Sequence, residues 1–127
     1  MWRARFATTL GLATALACKS TTSPACSGTC VTIRDFSFSP ASLTIKVGTT
    51  VTWINAGPSA HTVTADSGQW DSGTLAAPSG GGAYGGGTGG GSFSMLFDHA
   101  GGPIGYHCKL HPPPTYPTFT GTITVTP

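Results

Sequence analysis

Charged side chains are scarce in this sequence. Only 8% of its 127 residues are Asp, Glu, Lys or Arg, and the formal net charge is +2. Two of the positive charges, Arg3 and Arg5, lie at the amino terminus, and beyond residue 17 four cations and four aspartates cancel. No basic patch is left that could neutralise the phosphates of a nucleic acid. Low charge combined with much Thr, Ser and Gly is typical of an exported β domain.

Helical patterns and nucleotide-binding motifs are also missing. No segment repeats its apolar residues with the 3.6-residue period of an amphipathic helix. The glycine-rich stretch 79–92 lacks the Gly-x-x-x-x-Gly-Lys sequence of a phosphate-binding loop, and no helical pattern follows it. This stretch also has too few apolar side chains to offset the entropy lost on ordering. We therefore predict that residues 79–92 form a flexible surface insertion in a β-hairpin.

Short alternations of apolar and polar residues recur from residue 31 onward, as expected of strands with one buried face. In residues 31–38 the alternation changes parity at Arg34 and Asp35, which predicts a β-bulge within one strand. Val51 and Trp53 fall on one face of a strand over 50–55. Gly and Pro turns separate the segments, so residues 31–127 are predicted to form an all-β, Greek-key antiparallel β-sandwich of about seven to eight strands. The other predicted strands are 43–47, 61–64, 93–97, 106–108 and 121–125.

The amino terminus has the pattern of an export signal. Arg3 and Arg5 precede an apolar run over 7–17 that is too short to remain as a membrane span. Residues 1–17 are therefore predicted to be a signal peptide. We expect the protein to be exported to the bacterial periplasm, or held at a membrane facing the periplasm or the cell exterior.

The end of this signal fits two alternative processing sites. Ala15 and Ala17 suit an ordinary signal peptidase, whereas small residues directly before Cys18 resemble a bacterial lipobox. Ala15 stands where the lipobox usually has Leu. We favour a lipoprotein acylated at Cys18, because residues 18–30 are small and polar and resemble a tether.

The remaining three cysteines divide into a close pair and a single residue. Cys26 and Cys30 are four positions apart in a chain predicted to reach an oxidising compartment, which favours a local disulfide. A second, soft metal site is the alternative, although no histidine lies nearby in sequence. Cys108 is then left without a partner, and metal ligation is a good reason for an unpaired cysteine in an exported protein.

Cys108 and His111 form a Cys-x-x-His pair in a loop between two predicted strands, and His61 lies 47 residues before Cys108. One thiolate and two imidazoles are the donor set of a trigonal copper site. We predict that His61, Cys108 and His111 bind one metal ion, and that the Thr62 backbone N–H donates to the thiolate. His99 and His107 are interpreted as ordinary polar residues, since His107 points to the face opposite Cys108 in a strand.

The motifs around these ligands resemble those of the cupredoxins, specifically the small blue copper proteins similar to plastocyanin and amicyanin. They are His61-Thr-Val-Thr, Tyr106-His-Cys108-Lys-Leu-His111-Pro and Gly121-Thr-Ile-Thr-Val125. The resemblance covers roughly residues 31–127. It implies one type 1 copper that cycles between Cu(II) and Cu(I), and a monomer that carries single electrons rather than an enzyme. It also implies that redox partner proteins dock near His111 and Pro112.

One position departs from that family pattern. The family usually supplies a weak axial methionine two residues before the glycine of the last strand, where this chain has Phe119. A phenyl ring cannot coordinate, so loss of the axial donor should favour Cu(I) and raise the reduction potential. The carbonyl of Ala60 or an inward-folded Tyr116 could replace it.

Two other functions stay open. A copper carrier or storage protein would move the ion rather than the electron, and the missing methionine and the thiols of Cys26 and Cys30 favour it. An enzyme could use Cys108 as a nucleophile with His111 as its base. That reading is weak, because no Asp, Asn or Glu occurs in residues 99–127 to orient the base.

Overall fold

Eight β-strands make up the regular structure of the residues that the computed structural model describes, which are 26, 28–80 and 89–127. The predicted signal peptide, the processing site at Cys18, most of the tether 18–30 and residues 81–88 of the insertion lie outside the described residues. Within the described part, no helix is long and apolar enough to cross a membrane. The strands are β1 (Thr29–Arg34), β2 (Ser37–Ser39), β3 (Ser42–Lys46), β4 (Thr49–Asn55), β5 (Thr64–Ala65), β6 (Ser92–Phe97), β7 (Gly101–His107) and β8 (Thr120–Thr126).

The strands form two four-stranded sheets, with the orders β2-β1-β4-β6 and β3-β8-β7-β5. This architecture confirms the predicted all-β sandwich of seven to eight strands. The sheets are mixed rather than purely antiparallel, because β1 pairs with β4, and β3 with β8, in the parallel sense. Parallel neighbours need a crossover connection. The chain supplies one by passing through the opposite sheet between the paired strands, which strand periodicity alone does not reveal.

The core lies between the two sheets, where the alternating residues of facing strands meet. Val51 and Trp53 of β4 are fully buried, as predicted, and Ile123 of β8 is fully buried on the opposite sheet. The ring of Tyr106 on β7 packs edge to face against Trp53, with ring centroids 5.6 Å apart. Burying one such large apolar side chain contributes roughly 1.5–3 kcal/mol. The core thereby fixes the ends of β4 and β7, from which the metal-site loops leave.

The segment 31–38 is a hairpin rather than one strand with a bulge. Arg34 pairs with Ser37, so only Asp35 and Phe36 form the turn between β1 and β2. Phe36 has a φ of 63°, which is rare for a bulky residue without a special constraint. The parity change arises because each of the two short strands alternates separately. This tight turn places the side chains of Asp35 and Phe36 beside the predicted metal ligands.

Two strands near the predicted ligands have limits in the structure that differ from the predicted ones. In the predicted strand 61–64, His61 makes an isolated bridge to Leu75, and the regular strand β5 begins only at Thr64. The predicted strand 106–108 is the end of the longer strand β7. β7 begins at Gly101 and has an irregular register between Gly101 and Ile104.

Candidate metal centre

The three predicted ligands lie together at one end of the sandwich. The Sγ atom of Cys108 is 3.8 Å from Nδ1 of His61 and 3.6 Å from Nδ1 of His111. The two Nδ1 atoms are 3.3 Å apart. Cys108 and His61 are fully buried, and His111 is partly buried. The described residues contain no other such group of His, Cys, Asp or Glu side chains.

The spacing of these three atoms suits a metal ion. The point in the plane of these three atoms that is equidistant from them lies about 2.1 Å from each, which matches the usual metal–nitrogen distance and is about 0.2 Å shorter than the usual metal–sulfur distance. One thiolate with two imidazoles is also the donor set of trigonal copper sites. The residues present therefore fit a copper ion in both spacing and chemistry.

Backbone hydrogen bonds hold each ligand in its place. His61 exchanges two hydrogen bonds with Leu75, in which the N–H of His61 donates over 3.1 Å and its carbonyl accepts over 2.8 Å. Cys108 directly follows β7. The N–H of His111 donates to the carbonyl of Cys108 over 3.2 Å, which closes a tight turn between the two ligands. These bonds bring ligands 47 residues apart in sequence onto one centre.

Thr62 contacts the cysteine sulfur as predicted. Its backbone N–H donates to Sγ of Cys108 over 3.3 Å. Its Oγ1 lies 3.9 Å from the same sulfur and accepts a hydrogen bond from the N–H of Lys109 over 2.9 Å. Thr62 is fully buried and thus connects the His61 segment with the Cys108 loop.

Asp35 is the functional neighbour that the sequence reasoning missed. Its Oδ1 lies 2.9 Å from Nε2 of His61, and its Oδ2 accepts a hydrogen bond from Oγ of Ser59 over 2.9 Å. Burial alone would raise the pKa of Asp35, but hydrogen bonds from His61 and Ser59 outweigh that effect and hold its pKa below the ordinary value. The only sequence signal was the parity change at Arg34 and Asp35, which also suits a bulge.

Aromatic rings fill the space around the two histidines. Phe119 is fully buried, with its ring edge to face against His61 at a centroid distance of 5.0 Å. Tyr116 stacks on Phe36 at 4.4 Å and meets His111 edge to face at 5.1 Å. Phe119 thus lies beside His61 and His111, and its assignment to an axial position of the metal stays a prediction. That the carbonyl of Ala60 or the side chain of Tyr116 takes the place of the axial donor stays a prediction.

The remaining histidines lie outside the cluster. Nδ1 of His107 is 2.6 Å from Oδ1 of Asp66, and Nδ1 of His99 is 2.6 Å from Oδ1 of Asp98. The hydrogen bond from His99 lowers the pKa of Asp98. These contacts agree with the interpretation of both histidines as polar residues without a ligand role.

The close cysteine pair near the start of β1 is a disulfide. Cys26 is bonded to Cys30, while Cys108 is free. The predicted disulfide is thereby confirmed. The alternative of a soft metal site at these two residues is overturned, because neither has a free thiolate to offer.

Comparisons with known proteins place these features in a family. The sequence profile described as copper binding proteins, plastocyanin/azurin family, matches residues 26–126. No curated protein sequence matches the chain.

Solved structures agree with this match. An oxidised mutant of amicyanin is 25% identical to the chain, with a TM-score of 0.59, and the alignment covers 78% of this chain and 82% of that one. A purple cupredoxin from Nitrosopumilus maritimus is 24% identical, with a TM-score of 0.55 and coverage of 77% and 99%. A copper-containing nitrite reductase from Thermus scotoductus is 21% identical, with a TM-score of 0.58, and the alignment covers 79% of this chain but 22% of that one. At these identities the last two show the fold alone. With a profile match over most of its length and a His-Cys-His cluster in a cupredoxin-like sandwich, this chain belongs to the plastocyanin/azurin family of copper-binding proteins.

Proposed function

We propose that this protein carries single electrons between redox partners by means of one type 1 copper ion, held by His61, Cys108 and His111. The observation that carries the proposal is the convergence of Cys108 Sγ and two imidazole Nδ1 atoms within 4.8 Å of one another in a largely buried site. Copper, when bound there, accepts and releases one electron between Cu(II) and Cu(I).

The surrounding residues favour a role in electron transfer over exchange of the ion. His61 and Cys108 are fully buried, and Cys108 accepts the N–H of Thr62. Such ligands need little movement when the charge of the site changes, because packing and backbone hydrogen bonds already fix them. The sulfur is also shielded from solvent by the described residues, since Cys108 is fully buried.

The proposed docking face surrounds His111 and Pro112. His111 is the least buried of the three ligands. Two large apolar side chains near His111 are exposed to solvent. Phe36 is 37% exposed, and its ring lies 5.2 Å from that of His111. Leu110, which directly precedes His111 in the sequence, is 46% exposed. An apolar surface around one partly exposed ligand suits brief association with a redox partner. We further propose export of a monomer by the signal 1–17, with Cys18 as the site of lipid attachment.

The test is a visible absorption spectrum of the purified protein after one equivalent of Cu(II), recorded beside that of Cys108→Ser. We expect an intense blue charge-transfer band in the wild type that is lost in the variant. His99→Gln serves as a matched control, because it changes a described histidine outside the cluster and should keep the band. A pale spectrum that is identical in the wild type and Cys108→Ser would reject the type 1 site.

A copper carrier or storage protein is the second proposal, and the burial of Phe119 beside the ligands favours it. With no thioether at that position, the site should prefer Cu(I), as a protein that delivers Cu(I) would. The disulfide of Cys26 and Cys30 removes one argument for this function. Rapid transfer of Cu(I) to a competing chelator, without a blue Cu(II) form, would support it over electron transfer.

An enzymatic role for Cys108 has less support. The sulfur is fully buried and faces two imidazoles, so a substrate would have to displace packed side chains to reach it. No second candidate metal cluster occurs in the described ranges, as a copper enzyme with two sites would need. We therefore propose a carrier rather than a catalyst.

A further inference from the structure

The two nitrogens of the His61 ring have different neighbours. Nδ1 faces the other ligands, at 3.3 Å from Nδ1 of His111 and 3.8 Å from Sγ of Cys108. Nε2 faces Oδ1 of Asp35 at 2.9 Å. Because a carboxylate only accepts hydrogen bonds, this contact requires a proton on Nε2, and in the neutral imidazole the lone pair of Nδ1 is then free for the metal.

Building on the copper site proposed above, we propose that Asp35 is a positioning residue for this site. Its carboxylate fixes His61 as the Nε2–H tautomer and places a negative charge beside that ligand, which stabilises Cu(II) relative to Cu(I). Carboxylates that accept from a metal-bound histidine fix the ring orientation and raise the basicity of the ligand.

The loop after β4 holds this carboxylate from a second side. The backbone N–H and the hydroxyl of Ser59 donate to the two oxygens of Asp35, over 3.3 Å and 2.9 Å. Gly57 leaves the necessary room, since a Cβ atom there would lie 2.8 Å from Oδ1 of Asp35. Asn55 in turn fixes the loop by donating to the carbonyl of Ser59 and accepting from the N–H of Gly57. The carboxylate is thus oriented before any metal binds.

The other Asp–His pairs of the described chain lack this arrangement. His99 and Asp98 are both largely exposed, and Asp66 is 60% exposed whereas Asp35 is 27% exposed. His61 is fully buried, so its contact with Asp35 is less screened by water. A charge at this position should therefore affect the metal more strongly than a charge at Asp98.

Asp35 and Phe119 should act in opposite directions. Phe119 offers the metal no donor and favours Cu(I). The charge of Asp35 favours Cu(II), because an anion near the metal stabilises the more highly charged ion. The reduction potential would then reflect a balance between one missing ligand and one added charge.

The first measurement is the tautomer of His61 in the metal-free protein, read from long-range proton–nitrogen NMR spectra. We expect the Nε2–H form in the wild type and in Asp35→Asn, whose amide oxygen can still accept. In Asp35→Ala the Nε2–H signal should weaken through exchange with water. Asp98→Asn is the matched control and should leave His61 unchanged. An Nδ1–H tautomer in the wild type would overturn the proposal without any variant being needed.

The second measurement is the reduction potential of the copper-loaded proteins. It should rise in Asp35→Asn and Asp35→Ala and stay at the wild-type value in Asp98→Asn, although each change removes one negative charge. A wild-type potential in both Asp35 variants, with their blue bands intact, would overturn the proposal. Absence of the blue band from the wild type would instead reject the copper function, and the tautomer of the metal-free protein would still test Asp35.

Discussion

The ring of Phe119 lies edge to face against His61 at a centroid distance of 5.0 Å, with the two rings at 87° to one another. Phe119 also stands where the family pattern has a methionine. Phe119→Met therefore offers a thioether at a site that now has only a hydrocarbon edge. We expect the reduction potential to fall, since an axial donor stabilises Cu(II). The stability cost should stay below about 1.5 kcal/mol, as for other exchanges of similar volume.

Phe119→Leu separates the effect of the donor from that of packing. It removes the ring without adding a ligand. The reduction potential of Phe119→Leu should therefore differ less from the wild-type value than the reduction potential of Phe119→Met does. Voltammetry of the copper-loaded proteins gives the reduction potentials. Urea titrations of the metal-free proteins give the free energies of unfolding. Equal shifts of the potential in the two variants would show that packing, and not ligation, sets the effect of residue 119.

The sequence was sufficient to predict the three clustered residues, because their chemistry is specific. A Cys-x-x-His pair between strands, combined with His61 after an earlier strand, leaves few arrangements other than a shared centre. The Thr62 hydrogen bond was also predictable, since the N–H next to a ligand often bonds the sulfur. Phe119 was identified through the family resemblance, by aligning Gly121 with the glycine of the last strand and reading the residue two positions before it.

Asp35 could not be predicted in the same way. Its contact with His61 depends on a two-residue turn in which Phe36 has a positive φ, and a non-glycine residue gives no sequence signal for that conformation. The parity change at this point suits a bulge and a turn equally well. The parallel pairing of β1 with β4 was missed for a related reason, since alternation reports the buried face of a strand and not the direction of its neighbour.

The ion pair of Asp71 and Lys109 provides a prediction about pH. Nζ of Lys109 donates to Oδ2 of Asp71, and this hydrogen bond lowers the pKa of Asp71. Because the pKa is lower in the folded state, the pair stabilises the fold above the unfolded pKa, roughly 4, and loses its effect as pH falls through the folded pKa. The two side chains are 39% and 47% exposed, so the contribution at pH 7 should be roughly 0.2–1 kcal/mol after screening by water.

Urea unfolding of the metal-free wild type and Asp71→Asn checks this prediction. The wild type should be the more stable protein at pH 7, and the difference should shrink towards pH 3 and in high salt. In a Lys109→Gln background the Asp71→Asn change should cost less, because the main partner is already gone. A difference that does not vary with pH would assign the effect of Asp71 to its other contacts.

Gly121 at the start of β8 lies directly against the ring of Tyr106. A Cβ atom at this position would be 2.1 Å from Cζ and 2.3 Å from the hydroxyl oxygen of Tyr106. Tyr106 is fully buried between the sheets and has little room to move. Gly121→Ala should therefore destabilise the fold by about 1–3 kcal/mol through overpacking. For a domain of this size, each kcal/mol corresponds to roughly 4–8 °C in Tm.

Gly80→Ala is the matched control for this change, because no atom of the described residues lies within 4 Å of a Cβ atom there. Its effect should stay within about 0.5 kcal/mol. Combining Gly121→Ala with Tyr106→Leu removes the ring that blocks the new methyl group, so the double variant should lose less stability than the sum of the single changes. If the stability losses of the two single changes simply add in the double variant, the methyl group is accommodated without pressing on Tyr106. The close contact of Gly121 with Tyr106 would then not fix the spacing of β7 and β8 beneath the metal site.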